Sequence, residues 1–493
     1  MTRIAVDPAR TIGTLDRNVF GGFVEHLGRC IYGGVYEEGS PLSDARGFRR
    51  DVLGLLRELR MGVLRWPGGN FVSNYHWADG IGPKDGRPRR PELAWGGVDS
   101  NRFGTDEFLE YCAELGTEPY ICLNMGTGTL AEALAWVEYC NGSRDTEWAR
   151  RRRANGHQAP YGVRYWGLGN EMYGDWQVGA MSAEEYVREA TRWARAIKML
   201  DPDAVLVSCG MNGWNDWDRV VIDGMAPLVD LHSLHIYTGS DDYWTNVLQP
   251  HQAERAIRCA RALIERAAYV KKIAAPPRIA YDEWNVWFRT EDGTLEERYN
   301  FSDALAVATY LNIFVRNCDW VRMANLAQMV NAIAPIVTTP ETAVTQPIYY
   351  PVLLHAQAAL EVAADVHVDG PTVSPLGAGH PSRWPHRVAD LGPFSLVDAA
   401  ATTSSDRRRL ALTLVNRSPD QPEKAEIVLR DLAFDGAAEI RSLTAEHGPD
   451  ARTLPDVEGA RLDEGSEKPS GQALTLTLPP RSFTVIEAAT ASP

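Results

Sequence analysis

The sequence predicts an α/β fold, a (β/α)8 TIM barrel followed by a smaller all-β, jelly-roll-like sandwich, and three observations carry that reading. Short apolar runs alternate with amphipathic stretches eight times between about residues 19 and 331. After about residue 365 the helical periodicity stops, and short alternating segments separated by Pro, Gly and Asp take over. The 493 residues exceed one ordinary domain, and the larger of two can bury a substantial core.

Taken in order, the β-like segment Thr2 to Asp7 precedes the barrel and is expected to join the sandwich. Barrel strands are expected at Val19 to Phe23, Gly62 to Trp66, Pro119 to Asn124, Val163 to Gly167, Val205 to Cys209, Leu231 to Ile236, Arg278 to Tyr281 and Val321 to Ala327. Between them, Phe48 to Arg60, Thr105 to Leu115, Ala183 to Leu200, Gln252 to Ala268 and Asp303 to Asn317 repeat apolar residues at three and four, the spacing of a helix with one buried face. Strand then helix, eight times over, closes into a parallel barrel. Sandwich strands are expected at Arg409 to Val415, Lys424 to Leu429, Ala438 to Ser442 and Ala473 to Leu478. The expected domains are a barrel over 15–365 and a sandwich over 366–493, completed by residues 1–14.

Composition narrows the chemistry. A formal charge of −15 argues against a nucleic-acid partner, which requires clustered Lys and Arg. The one basic run, Arg150 to Arg153, reads as a solvated loop. Seven cysteines without paired spacing suggest free buried thiols in a reducing compartment. No stretch approaches the roughly 20 apolar residues of a membrane span, and the N-terminus lacks the apolar core of a signal peptide, so a cytoplasmic protein without a membrane partner is expected.

Two segments carry most of the functional signal. Tyr165-Trp-Gly-Leu-Gly-Asn170-Glu171 and, 112 residues later, Ile279-Ala-Tyr-Asp-Glu283-Trp-Asn-Val-Trp287 are apolar runs that end in a carboxylate. In a barrel such residues reach the C-terminal rim, where side chains from different strands meet. If the two glutamates end the fourth and seventh strands, three units of about 37 residues separate them, a reasonable length for this fold. Paired carboxylates suggest glycoside hydrolysis with retention, in which the two groups stand roughly 5 Å apart. The other rims carry Glu25 and His26, Arg65 and Asn70, His235 and Tyr237, and Gln346, the amide, carboxylate and aromatic side chains that suit a neutral polyol.

The two segments look like the clan A glycoside hydrolases. With Phe23 to His26, Arg65 to Asn70, Tyr165 to Glu171 and Ile348 to Pro351, the chain resembles glycoside hydrolase family 51, the intracellular α-L-arabinofuranosidases. The likeness spans the barrel and is weaker over the sandwich. It implies Glu171 as general acid/base and Glu283 as nucleophile. It also implies that Asn170 contacts the 2-hydroxyl, that Glu25, Asn70 and Gln346 bind other hydroxyls, and that Tyr237 and Arg65 hold Glu283. Trp287 and Trp95 would wall the site. Because Glu283 is a nearby like charge, Glu171 is expected to have a raised pKa. The substrates implied are arabinofuranose-containing oligosaccharides, and the assembly implied is a homo-oligomer, a hexamer.

A metal reading of His232 and His235 fails on strand geometry, since residues three apart point to opposite faces, whereas His235 and Tyr237 share one. The glycine-rich segments lack a complete phosphate-loop pattern, so neither metal nor cofactor is expected. Two other readings stay open: the same mechanism on a β-D-xyloside, a β-D-galactofuranoside or a glucan, and a non-catalytic carbohydrate-binding barrel, against which the intact glutamate pair argues.

Overall fold

The computed structural model describes residues 1–287, 295–374, 388–445 and 460–492. Eight parallel strands close into a barrel: Gly21–Phe23, Val63–Trp66, Glu118–Cys122, Tyr165–Leu168, Val205–Ser208, Leu231–Thr238, Arg278–Val286 and Val321–Ala327. Val63, Tyr120, Tyr165, Val207, Leu231, Ala280 and Met323 pack together inside it as a plug of apolar side chains. Side chains alternate along a strand, so Arg65, two residues beyond Val63, also points inward, one layer higher.

The boundaries differ from the sequence reading where local chemistry intervenes. Asp16 accepts the backbone N–H of Asn18 and caps a 3₁₀ turn over Arg17–Phe20, which shortens the first strand to Gly21–Phe23. The run Arg150 to Arg153 is not a loop: it lies in the helix Glu147–Ala154. Arg152 is buried there and donates to the carbonyls of Tyr139, Gly142 and His157, while Arg151 and Arg153 bring positive charge to the negative end of the helix dipole.

The seventh strand departs most, running on through Val286 instead of stopping at Tyr281. Ala280 pairs with Ser233 and Glu283 with His235, so three residues advance against two of the sixth strand, a β-bulge. Neighbours in a regular strand face opposite sides. The bulge lets both Asp282 and Glu283 address the barrel interior.

A second, ten-stranded sheet follows the path Ala460–Glu467, Ala438–Ala445, Ser482–Ala491, Arg409–Asn416, Val397–Thr403, Val362–Asp369, Thr2–Thr14, Glu423–Leu429, Ala473–Leu478, with Ala433–Phe434 added to Ser482–Ala491. Ile4, Val6, Leu412, Ile427, Leu476 and Ile486 share one core, so strands far apart along this path must curl toward one another. Thr2–Thr14 pairs antiparallel with Val362–Asp369 and parallel with Glu423–Leu429. The expected boundary at 365/366 falls inside Val362–Asp369.

Helix Phe301–Arg316 lies between barrel and sheet and is buried around almost its whole circumference, as a helix that is apolar on every side must be. Two of its polar residues, Asn312 and Arg316, both reach Asp398 of the sheet, at 2.8 and 3.1 Å. Cys259 is half-buried and the other six cysteines are buried, all as free thiols. Among the described residues no helix is long and apolar enough to cross a membrane.

Candidate active site

Glu283 stands on the bulged seventh strand, nearly fully buried. Arg65 Nη1 donates to its Oε1 at 2.6 Å and Tyr237 Oη to its Oε2 at 2.9 Å. The other guanidinium nitrogen of Arg65 donates to Asn170 Oδ1 at 2.6 Å. Asp282 completes the charge balance beneath, with Tyr120 Oη donating to it at 2.8 Å and Arg65 Nε 3.7 Å away. Burial would raise the Asp282 carboxyl, but the charge of Arg65 and the bonds from His235 and Ser233 hold it down at about 2.

Glu171 lies three residues beyond the fourth strand, on backbone with φ 45°. This left-handed conformation is strained for a residue with a Cβ, the kind of local strain that collects at functional sites. Its Oε1 lies 2.9 Å from His235 Nδ1 and accepts from Tyr173 Oη at 3.2 Å, while its Oε2 accepts from Trp176 Nε1 at 3.1 Å. His235 bridges the site, since Nδ1 is also 3.6 Å from Glu283 and Nε2 is 3.3 Å from Asp282.

The protonation pattern corrects the sequence reading. Burial alone would raise Glu171, yet the hydrogen bond and charge of His235, with the donors Trp176 and Tyr173, bring its pKa below the usual carboxylate value. His235 moves the other way: burial would lower it, but Glu283, Asp282 and Glu171 raise it to about 10. With three acidic neighbours around one imidazole, the proton expected on Glu171 rests on His235.

One ligand atom from each of Glu171, His235 and Glu283 lies within 4.8 Å of the others. A cation placed there would compete with Arg65, already on Glu283, and with the proton that His235 carries. His232 belongs to a separate network, with Ser208 and Asp218 both 3.0 Å from its ring.

The hydroxyl-binding candidates flank the pair. Asn170 Nδ2 donates to Asn70 Oδ1 at 3.3 Å, and Gln177 donates to the same oxygen at 3.2 Å and to the Asn170 carbonyl at 2.6 Å. Glu25 accepts from the backbone N–H of Phe71, from Trp95 Nε1 and from Gln328 Nε2, at 2.9, 2.9 and 2.7 Å. Burial is the main reason that its pKa climbs to about 7, with Glu283 adding repulsion and the three donors opposing. Gly69 permits this packing, because a Cβ there would lie 2.5 Å from Glu25 Oε2. The Trp287 ring stands edge-on to Tyr237, centroids 5.5 Å apart.

Gln346 is placed differently from the rest. It is fully buried, donates to the carbonyls of Glu297 and Ala334, and accepts from the N–H of Tyr299. Its amide ties two backbone segments together and makes no bond to the carboxylate cluster. The sequence reading gave no role to Asp282, Tyr120, Tyr173, Trp176, Gln177 or Gln328. Tyr173 to Gln177 follow Glu171 closely, and that proximity was a usable signal. Tyr120 and Gln328 meet the site only through barrel closure.

Residues 55–255 match the family model of the α-L-arabinofuranosidase 1 domain, and residues 282–482 match that of the α-L-arabinofuranosidase C-terminal domain. The chain is 47% identical over 421 residues to α-L-arabinofuranosidase C of Emericella nidulans, covering 82% of each. It is 36% identical to the intracellular exo-α-(1→5)-L-arabinofuranosidase 1 of Bacillus subtilis, covering 98% of each. A crystal structure of an α-L-arabinofuranosidase from Thermotoga maritima in complex with arabinose superposes with a TM-score of 0.89 at 40% identity, covering 99% of this chain and all of that one. The chain belongs to the α-L-arabinofuranosidases of glycoside hydrolase family 51.

Proposed function

We propose that this protein is a retaining exo-α-L-arabinofuranosidase that removes terminal non-reducing arabinofuranose from arabinan, arabinoxylan or their oligosaccharides. The observation that carries the reading is the carboxylate pair: oxygens of Glu171 and Glu283 lie within 4.8 Å of each other, with Arg65 and Tyr237 bonded to Glu283. That spacing matches covalent double displacement, and an inverting pair would be roughly 6.5–9.5 Å apart to admit a water.

In the first step a Glu283 oxygen bonds to the anomeric carbon while the bond to the leaving oxygen breaks. Glu171 supplies the proton to that oxygen, having taken it up from His235 Nδ1, 2.9 Å from its Oε1, when substrate binds. In the second step Glu171 takes a proton from water, the water oxygen bonds to the anomeric carbon, and Glu283 leaves. Asn170, Asn70 and Glu25 would hold the furanose hydroxyls; with a pKa of about 7, Glu25 can donate or accept near neutral pH.

Consistent with the intracellular relative from Bacillus subtilis, we read the site of action as the cytoplasm. We also read the chain as a homo-oligomer, with light scattering as the measurement. A panel of chromogenic glycosides with the product anomer followed by NMR tests the function. The expected result is turnover of α-L-arabinofuranosides with the retained anomer formed first. Preference for xylosides, galactofuranosides or glucans, or first appearance of the inverted anomer, would reject it.

A further inference from the structure

The segment following Glu171 holds an arrangement that the two-step scheme leaves unused. Trp176 is 57% exposed, yet its indole N–H reaches Glu171 Oε2 at 3.1 Å. It does so by folding back over Gly174: a Cβ on Gly174 would lie 2.4 Å from Trp176 Cε2 and 2.5 Å from Cζ2, inside any van der Waals contact. Tyr173 stands edge-on to the indole at 6.1 Å, its own hydroxyl on the opposite oxygen of Glu171. The two oxygens of Glu171 thus have different surroundings. Oε1 is held within the site by His235 and Tyr173, whereas Oε2 faces the side where a large aromatic surface meets solvent.

A general acid must offer one oxygen to the departing group. Exposed indoles combine an apolar face with a polar handle, a pairing suited to the C–H face of a sugar with a hydroxyl alongside. We propose that Trp176 sets leaving-group specificity: its N–H holds Glu171 Oε2 before substrate binds, and the leaving sugar then lies on the exposed ring and brings its glycosidic oxygen to Oε2. This rests on the glycosidase reading above.

The test compares wild type, Trp176→Phe, Trp176→Ala and Gly174→Ala on two substrates. One is an arabinofuranosyl disaccharide, whose leaving sugar needs both protonation and a platform. The other is a dinitrophenyl arabinofuranoside, whose leaving group needs neither. For Trp176→Ala, and for Gly174→Ala, which pushes the ring off its seat, kcat/KM on the disaccharide should fall about tenfold, the loss of one hydrogen bond to a charged group. The dinitrophenyl substrate should be nearly unaffected.

Trp176→Phe keeps a ring and removes the N–H. A carboxylate that loses a donor holds a shared proton more firmly, so the Glu171–His235 pair should keep its proton longer and the alkaline limb of the disaccharide profile should move to higher pH. Equal losses on both substrates, or an unmoved alkaline limb in Trp176→Phe, would overturn the proposal. Failure of the substrate reading is separate, because wild type would then turn over neither arabinofuranoside. The same leaving-group pair on the sugar identified by the panel would then carry the test.

Discussion

The two carboxylates at the centre of this barrel are held in opposite ways. Glu283 sits inside a strand, aimed by a bulge, and its partners Arg65 and Tyr237 stand on other strands of the same closed ladder. Glu171 sits past a strand end on strained backbone, and two of its three partners, Tyr173 and Trp176, come from its own loop. The difference follows the chemistry proposed for each. A nucleophile must point along one line at one carbon, and groups on rigid elements are held more closely than groups on loops. An acid/base changes protonation twice in each cycle, and adjustable donors with a titrating neighbour serve that better.

The largest expected effect sets the two halves apart directly. Glu283→Ala should abolish turnover of every glycoside, since no covalent intermediate can form. Glu171→Ala should spare the first step for an aryl glycoside with a good leaving group and slow hydrolysis of the intermediate. Azide, which needs no general base, should rescue the Glu171 variant and give a glycosyl azide of retained configuration. If azide instead rescued the Glu283 variant with inversion, the assignments would have to be exchanged.

Next comes the charge balance under the rigid half. Arg65→Met leaves Glu283 and Asp282 buried without their guanidinium, and breaking a buried pair in this way costs about 3–5 kcal/mol. Urea unfolding measures it. Arg65→Lys, one point charge in place of a fork that spans Glu283 and Asn170, should fall between. A Met variant as stable as wild type would show that the floor of the site does not depend on this ion pair.

Smaller still is a pH effect on the hydroxyl-binding side. Folding raises the Glu25 pKa from 4.5 to about 7, so the folded state binds the extra proton between those values. Its contribution to stability is complete below pH 4.5 and is lost as pH rises through 7, on the order of 3 kcal/mol in all. Glu25→Gln cannot titrate. Relative to wild type it should gain stability across that window and no further above it, and parallel unfolding curves at every pH would contradict the assignment.

The barrel was legible because parallel strands buried on both faces read as unbroken apolar runs. Strand limits were less so, and the bulge at Asp282 shows why: an extra residue leaves no mark on an apolar stretch. The site was legible where a residue's position within its motif was enough, as for Glu171 just past the fourth strand; Glu283, read as a strand end, lies inside the seventh. It was illegible where function depends on which side chains converge. Nothing in the segment around His235 announces three carboxylates around one ring, and so the sequence put the proton on Glu171. Gln346 failed to join the cluster for a similar reason, its amide being engaged by two carbonyls and an N–H from distant segments.

The placement of strand Thr2–Thr14 has a consequence for how the molecule comes to exist. Its neighbours in the sheet are Val362–Asp369 and Glu423–Leu429. A ribosome adding about 5–20 residues per second delivers the later of them roughly 20–80 s after the first strand has emerged. For most of that interval, until Val362–Asp369 is made, Ile4 and Val6, fully buried in the finished protein, lack both neighbouring strands. The earliest residues made are therefore among the last to be covered. Loss of Thr2–Thr14 would in turn open two strand edges, on Val362–Asp369 and on Glu423–Leu429.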